Sequence, residues 1–170
     1  MIKRTSMLML TIGLMAFSGG SAFSADEHEQ QALIKSIGEA KITLQQGLTA
    51  AEAQGQPISG KFEVEDGKLQ LSVYTAKDGK FFEIVVDFVG GKVTKTEPIT
   101  EGEDLTAAKA QSAAMMKAKT SLKAAVDKAL SQSAGSRATE VTPELKDGHA
   151  IATVTLLNGQ EFKTVPQSLE

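Results

Sequence analysis

The sequence predicts an α+β fold made of two tandem units, each a helix packed on a three-stranded antiparallel sheet. Three observations lead to this prediction: short runs of alternating apolar residues, Asp-Gly pairs between the runs, and self-similarity within the 170-residue chain. Alternation with a period of two is typical of strands with one buried face, and Asp-Gly pairs favour tight hairpins. We therefore expect antiparallel hairpins that bury one face beneath helices.

The strands are clearest in residues 62–88, which read FEVEDGKLQLSVYTAKDGKFFEIVVDF. Alternation assigns one apolar face to Phe62, Val64, Leu69, Leu71, Val73, Phe82, Ile84, Val86 and Phe88. The opposite face carries polar residues, among them Gln70, Ser72 and Glu83, and we expect water to cover it. Phe81 and Val85 interrupt this polar face, so we predict that they form a partner-binding surface. The alternative is that the neighbouring unit or a loop covers them.

Helix signals precede the strands. Thr43 and Gln46 have the spacing of a capping box, which predicts that a helix begins just after Thr43. A second helical segment is expected upstream, around Leu33 and Ile37. In the second half, Asp104 is expected to cap an Ala-rich helix that runs to Leu130, and Ser121 takes the place of Thr43. The sequence leaves open whether that helix is continuous.

An internal repeat divides the chain. The segment AKITLQQGLTAAEA from Ala40 parallels AKTSLKAAVDKALS from Ala118, and EDGKLQLSV from Glu65 parallels KDGHAIATV from Lys146. The two offsets, 78 and 81 residues, differ only by a small loop insertion, which is typical of a tandem duplication. We predict a first unit at residues 25–97, a linker at 98–104 (PITEGED), and a second, truncated unit at 105–170.

The N-terminus has the pattern of a cleavable signal peptide. Lys3 and Arg4 precede an apolar run too short to span a bilayer, and small residues follow it, so we predict cleavage after Ser24 and a periplasmic or secreted protein. Removing residues 1–24 leaves 16 Lys and Arg against 21 Asp and Glu, a net charge of −5. This charge argues against nucleic-acid and anionic-membrane partners, and we expect no stable membrane anchor.

No pattern of catalytic residues is present in the sequence. The chain has no cysteine, no HExxH, no phosphate-binding glycine loop and no G-x-S-x-G motif, so we predict neither an enzyme nor a cofactor. His149 follows an Asp-Gly turn and is expected on the surface. His28 gives a narrower alternative, because cleavage after Ala25 would place it third in the mature chain, where it could help bind Cu(II) or Ni(II). With the favoured cleavage site, no metal is expected.

Residues 40–95 resemble the PepSY domain family. The residues that carry the resemblance are Ala51-Glu52, Asp66-Gly67, Asp78-Gly79, Val86-Asp87 and Gly91-Lys92-Val93. The resemblance implies an exported, non-catalytic α+β module of a family proposed to restrain peptidases or bind other proteins. The second unit departs from the family pattern, since its third strand is cut short at Pro166. Physical reasoning makes Asp87 and Gly91 turn-forming residues.

Two functions from different classes follow. The first is a protein-binding module, with a peptidase among the expected partners, which works through a sheet edge or through Phe81 and Val85. The second is a small-ligand carrier or sensor, for which Ala150 and Ala152 are the only hint of an unfilled core. Because a unit of about 60 residues is marginally stable alone, we also expect the two units to pack together or the chain to form a homodimer.

Overall fold

The computed structural model describes residues 25–170, and the predicted signal peptide lies outside them. Within this range the helices are α1 (Ala25–Ser36), α2 (Leu44–Ala51), α3 (Gly102–Lys117) and α4 (Leu122–Ser131). Short 3₁₀ helices follow α1 at Ile37–Glu39 and α2 at Glu52–Gln54. The strands are β1 (Gln56–Glu65), β2 (Lys68–Lys77), β3 (Lys80–Val86), β4 (Val93–Ile99), β5 (Arg137–Lys146), β6 (His149–Asn158) and β7 (Glu161–Ser168).

All seven strands form one antiparallel sheet in the order β4-β3-β2-β1-β5-β6-β7. The predicted α+β class is confirmed, but the strands are joined in one sheet where two three-stranded sheets were expected. The junction is short, because β1 and β5 pair only through Gly60 with Val141 and Lys61 with Glu140. The expected linker at 98–104 contains the end of β4 and the first turn of α3.

Helices α2 and α4 pack side by side on one face of the sheet, α2 over β1, β2 and β3 and α4 over β5, β6 and β7. The face beneath them is the predicted apolar face, and its Leu71, Val73, Ile84, Val141 and Val154 are fully buried. Gly60 lies under α2, where an added Cβ would come within 3.1 Å of Leu48. Helix α3 contacts β5, β6, β1 and β2, and its Gln111 accepts a hydrogen bond from Ser59. Ser59 and its strand partner Tyr74 lie on the face of the sheet opposite α2 and α4. Helix α3 therefore covers part of that opposite face.

The predicted caps are confirmed for α2 and α4. Thr43 and Gln46 form a full capping box, and the Ser121 hydroxyl accepts a hydrogen bond from the backbone N–H of Ala124. The predicted Asp104 cap is wrong, because the N-cap residue of α3 is Glu101 and Asp104 lies in the first turn. The Ala-rich segment is two helices, separated by extended backbone at Ala118 and Ser121.

Tight turns connect the hairpins as the Asp-Gly pairs predict. Each of Asp66-Gly67, Asp78-Gly79 and Asp147-Gly148 has two consecutive residues with positive φ, the geometry of a type I′ turn. The last hairpin differs, because Asn158 pairs with Glu161 and the turn residues are Gly159 and Gln160. Gly159 therefore takes the first central position of that turn, with φ of 62°.

None of the helices within residues 25–170 combines the length and the apolar character needed to cross a membrane.

Candidate functional site

The sheet face opposite α2 and α4, called here the polar face, has a continuous row of residues across all seven strands. Strand pairing aligns this row from edge to edge as Lys95, Val85, Ser72, Lys61, Glu140, Thr155 and Thr164. The row crosses the β1–β5 junction at the Lys61–Glu140 pair, so opposite charges face each other at the centre of the sheet.

Five residues around this centre form what we call the polar cluster: Lys61, Glu63, Ser72, Glu83 and Glu140. Lys61 Nζ lies 2.6 Å from Glu63 Oε2, and both side chains are about three-quarters or more buried, with exposed fractions of 19% and 26%. Ser72 is fully buried, and Gln70 donates a hydrogen bond to its Oγ at 2.9 Å. The cluster is thus a partly buried group of three carboxylates around one ammonium.

Ser72 connects two of the carboxylates. Its Oγ lies 2.7 Å from Glu63 Oε1 and 2.9 Å from Glu83 Oε1. A serine hydroxyl has only one hydrogen to donate, so it cannot make a full hydrogen bond to two ionised carboxylates at once. A protonated Glu83 resolves this, because it donates to Ser72 Oγ while Ser72 donates to Glu63. The geometry therefore favours one extra proton in the cluster.

The environment shifts the pKa values in the same sense. Burial raises the pKa of Glu83, and the negative charge of Glu63 adds to this against the opposing effects of Ser72 and Lys61. Burial likewise raises the pKa of the Glu140 carboxyl, although Lys61 lies nearby. For Lys61, burial alone would lower the pKa, but attraction to Glu63 and Glu140 outweighs it and the pKa is raised.

Helix α3 covers the polar face beside the cluster. The Ser59 hydroxyl donates to Gln111 Oε1 at 2.9 Å, and Gln111 Nε2 is buried without a hydrogen-bond partner among the described residues. Tyr74, which pairs with Ser59, is buried at 6% exposure, and its burial, followed by the charges of Glu63 and Glu83, raises its pKa. Helix α3 does not bury the cluster completely, because Lys61, Glu83 and Glu140 remain partly exposed.

Both predicted binding residues lie on the polar face, on either side of Glu83. Val85 is half-buried and lies in the central row between Ser72 and Lys95. Phe81 is also half-buried, pairs with Ala76 and Ile99, and packs against the hydrophobic core. Val85 therefore belongs to the continuous surface of the polar face that a partner could contact. Phe81 contributes to the packing of the core as well.

Sequence reasoning missed the polar cluster. We expected water to cover the face that carries Glu83, because alternation shows which residues share a face but not how deeply they are buried. A signal was nevertheless present, since Lys61 and Glu63 flank Phe62 at a spacing that places opposite charges side by side on one face. No group of three or more His, Asp and Glu residues suited to a metal ion occurs within the described part of the chain.

The remaining candidates have structural roles. Asp87 accepts hydrogen bonds from the backbone N–H groups of Val89 and Gly90, and Gly91 has φ of 71°, so the predicted turn role is confirmed. His149 is exposed, as predicted, and its Nδ1 lies 3.0 Å from Glu170 Oε2. Ala150 and Ala152 are fully buried beneath α4.

A cavity of about 430 Å³ lies elsewhere, between the end of α2 and the α3–α4 connection. Its apolar part includes Leu48, Pro57, Met115 and Leu122, and polar residues line the rest. A volume of this size is in the range of small-molecule sites.

Comparisons of the chain with protein-family models, with curated proteins and with solved structures find no match.

Proposed function

We propose that this chain is an exported, non-catalytic binding protein that binds a protein partner through the polar face of its sheet. The observation that carries the proposal is the polar cluster, because three carboxylates and one ammonium are kept partly buried in a face that is still open beside α3. Maintaining charges in such a position costs desolvation energy, and a stable core does not require it. A role in binding a partner would explain why these charged residues are present.

We further propose that the chain consists of two PepSY-like units that arose by tandem duplication. Several local features that recur at the offsets of the sequence repeat support this. The bulges at Ile58 in β1 and Thr139 in β5 lie 81 residues apart, and the N-caps Thr43 and Ser121 lie 78 apart. With the 81-residue offset, Gly60 and Val141 are equivalent positions and pair with each other, which is expected if a two-fold axis passes between them.

The open edges of the sheet are less suited to partner binding than its face. Edge strand β4 carries Pro98 and the Lys95–Glu97 ion pair, and edge strand β7 carries Lys163 and Pro166. Proline lacks a backbone N–H, and proline and lysine on edge strands are typical means of preventing strand addition. Of the two binding modes expected from the sequence, binding through the surface that includes Val85 is therefore favoured.

The chemistry of the cluster indicates a basic partner. With Lys61 charged and Glu83 protonated, Glu63 and Glu140 still give the cluster one negative charge in excess, and a lysine or arginine of the partner would complement it. Glu140 and Glu83 are the carboxylates whose burial raises their pKa, so they gain most from an added cation. A peptidase with a basic surface is one such partner, in keeping with the PepSY resemblance.

Site-specific photo-crosslinking in the native cell envelope tests this proposal. A photoreactive residue at Val85 is expected to give a discrete protein adduct, and one at the exposed Lys128 of α4, on the opposite face, is the matched control. Adding Glu140→Lys to the Val85 probe should abolish the adduct, and raising the salt concentration should weaken it. Equal adducts from both positions, or an adduct that survives Glu140→Lys, would contradict binding through the polar face.

Export is tested separately by the intact mass of the protein recovered from the envelope. We propose a mature chain that begins at Ala25. A mass that corresponds to Asp26 as the first residue would instead support the Cu(II) or Ni(II) site at His28. The mass of the full chain, with residues 1–24 still attached, would contradict export.

The cavity of about 430 Å³ favours a second candidate function, a small-ligand carrier. The site then differs from the one expected, since the cavity adjoins the α3–α4 connection instead of Ala150 and Ala152.

A further inference from the structure

The cavity of about 430 Å³ beside the α3–α4 connection has an equivalent place beside the α1–α2 connection, which the side chain of Arg137 fills. Arg137, the first residue of β5, extends its Nη2 to the carbonyl oxygens of Ala40 at 3.2 Å and Ile42 at 2.8 Å, in the connection between α1 and α2. Its guanidinium also lies over the Phe62 ring, 5.3 Å from the ring centroid. A guanidinium group thus fastens β5 to the α1–α2 connection.

The α3–α4 connection has the same backbone conformation as the α1–α2 connection. Ala40 has φ and ψ of −71° and 125°, and Ala118, 78 residues later, has −67° and 136°. The N–H groups of Lys41 and Ile42 both donate to the Phe88 carbonyl, and those of Lys119 and Thr120 both donate to the Leu169 carbonyl. Capping residues Thr43 and Ser121 follow in the same extended conformation. From this correspondence we infer that the carbonyls of Ala118 and Thr120 face the start of β1, as those of Ala40 and Ile42 face Arg137.

The residue equivalent to Arg137 is Gln56, the first residue of β1, which lies 81 positions earlier. Gln56 lines the cavity together with Ala118 and Thr120, and it is exposed. Glutamine is shorter than arginine and has no charge, so the guanidinium present in one half has no counterpart in the other. The cavity occupies the corresponding space.

We infer that this cavity binds a guanidinium group, supplied by an arginine side chain of another protein or by a small guanidino compound. The Ala118 and Thr120 carbonyls accept its N–H donors, and Leu48 and Pro57 pack against its apolar stem. Glu52 also lines the cavity and adds a carboxylate. This inference is independent of the polar face and its partner.

Two lysines line the cavity and bear on the affinity. Lys119 corresponds to Lys41, so a lysine at this position is compatible with the occupied guanidinium site. Lys123 corresponds to Gln45, whose side chain donates to Asp127. Lys123 therefore adds a positive charge that the occupied site lacks, and Lys123→Gln is expected to increase the affinity for a guanidinium group.

NMR titration of the full protein with agmatine tests the inference. The backbone amide signals of Gln56, Ala118 and Thr120 are expected to shift and saturate in the millimolar range, where a single such group is expected to bind. An arginine-containing tripeptide distinguishes the source, since tighter binding than agmatine indicates a partner chain and equal binding indicates a small compound. The matched tripeptide with neutral citrulline should leave these signals unchanged.

Two variants exchange the filled and empty sites. Gln56→Arg should fill the cavity with its own guanidinium, raise Tm and weaken agmatine binding by about tenfold or more. Arg137→Gln should empty the other site, so that agmatine shifts the Ala40 and Ile42 signals and restores part of the lost Tm. Equal binding of the citrulline peptide, binding of inorganic phosphate in place of agmatine, or no effect of Gln56→Arg would overturn the inference.

Discussion

Glu63 and Glu83 share a single hydrogen-bond donor, the Ser72 hydroxyl, which lies 2.7 Å from one carboxylate and 2.9 Å from the other. The hydroxyl has one hydrogen and cannot donate it to two ionised carboxylates at once. The arrangement of Glu63, Ser72 and Glu83 is therefore most stable when one of the two carboxyl groups is protonated. The other charged groups near Glu83 are Lys95 and Glu97 on the adjoining strand β4, and Lys61 and Glu65 on β1. The stability of the sheet should therefore depend on pH through this pair.

The first prediction concerns Glu83→Gln, which keeps a hydrogen-bond donor towards Ser72 but cannot ionise. The pKa of Glu83 is raised above its usual value of 4.5, so its stabilising contribution is present below that value and is lost as pH rises through the raised pKa. We expect the Tm of the parent to fall relative to the variant as pH increases from about 4 to about 8. Thermal unfolding followed by circular dichroism measures this. A difference in Tm that stays constant over the whole range would contradict the shared proton.

The second prediction concerns Lys61→Met, which removes the only cation from the polar cluster. Three partly buried carboxylates are then left without it, and breaking such a pair costs about 3 kcal/mol. Urea unfolding should show a loss of this size. Adding Glu63→Gln and Glu140→Gln to Lys61→Met removes the unpaired charges and should recover most of the stability. Failure of the triple variant to recover would contradict the role of the unpaired charges.

The third prediction compares two glycine substitutions. An added Cβ at Gly47 in α2 would lie 2.5 Å from Leu71 Cδ2, and Leu71 is fully buried. The helix-propensity gain of Ala over Gly is about 1 kcal/mol, but overpacking a core costs about 1–3 kcal/mol, so we expect Gly47→Ala to destabilise the protein. Gly38→Ala is the matched control, because its Cβ meets no atom within 4 Å. That variant should be neutral or slightly more stable, and equal losses from both would refute the packing argument.

The fourth prediction concerns the β1–β5 junction. Residues 25–101 contain α1, α2 and β1–β4, and separating them from the rest exposes the edge of β1 and the surfaces of α2 that contact α4 and β5. We expect this fragment to unfold at a lower temperature than the full chain or to dimerise through β1. Calorimetry and analytical ultracentrifugation distinguish these outcomes. A monomeric fragment with the Tm of the full chain would show that the first half is independent of the second.

Local patterns were sufficient for several elements and insufficient for others. The Thr43 and Ser121 caps and the three Asp-Gly turns depend on residues close in sequence, so the sequence predicts them well. Strand β4 was missed because its exposed sequence, VTKTEPI, has little apolar alternation and contains Pro98, as an edge strand can. The start of α3 was misplaced because Glu101 makes no side-chain cap.

Local sequence patterns do not specify which strands from distant parts of the chain pair with each other. The joining of both sets of strands into one sheet rests on two residue pairs, Gly60 with Val141 and Lys61 with Glu140, and no local period specifies them. The same holds for the polar cluster, where Lys61 from β1, Glu83 from β3 and Glu140 from β5 meet only after the strands have paired. Helix α3 reaches the same face through a hydrogen bond between Gln111 and Ser59, which lie 52 residues apart in sequence.

The prolines at the two sheet edges have a consequence for the protein in bulk. Within residues 25–170, Pro98 and Pro166 lie on the two edge strands of the sheet, β4 and β7, and each is accompanied by charged residues on the same strand. A seven-stranded sheet is otherwise a template to which further molecules could add indefinitely and form fibrils. Because both edges carry a proline and charged residues, we expect the protein to resist this polymerisation at high concentration.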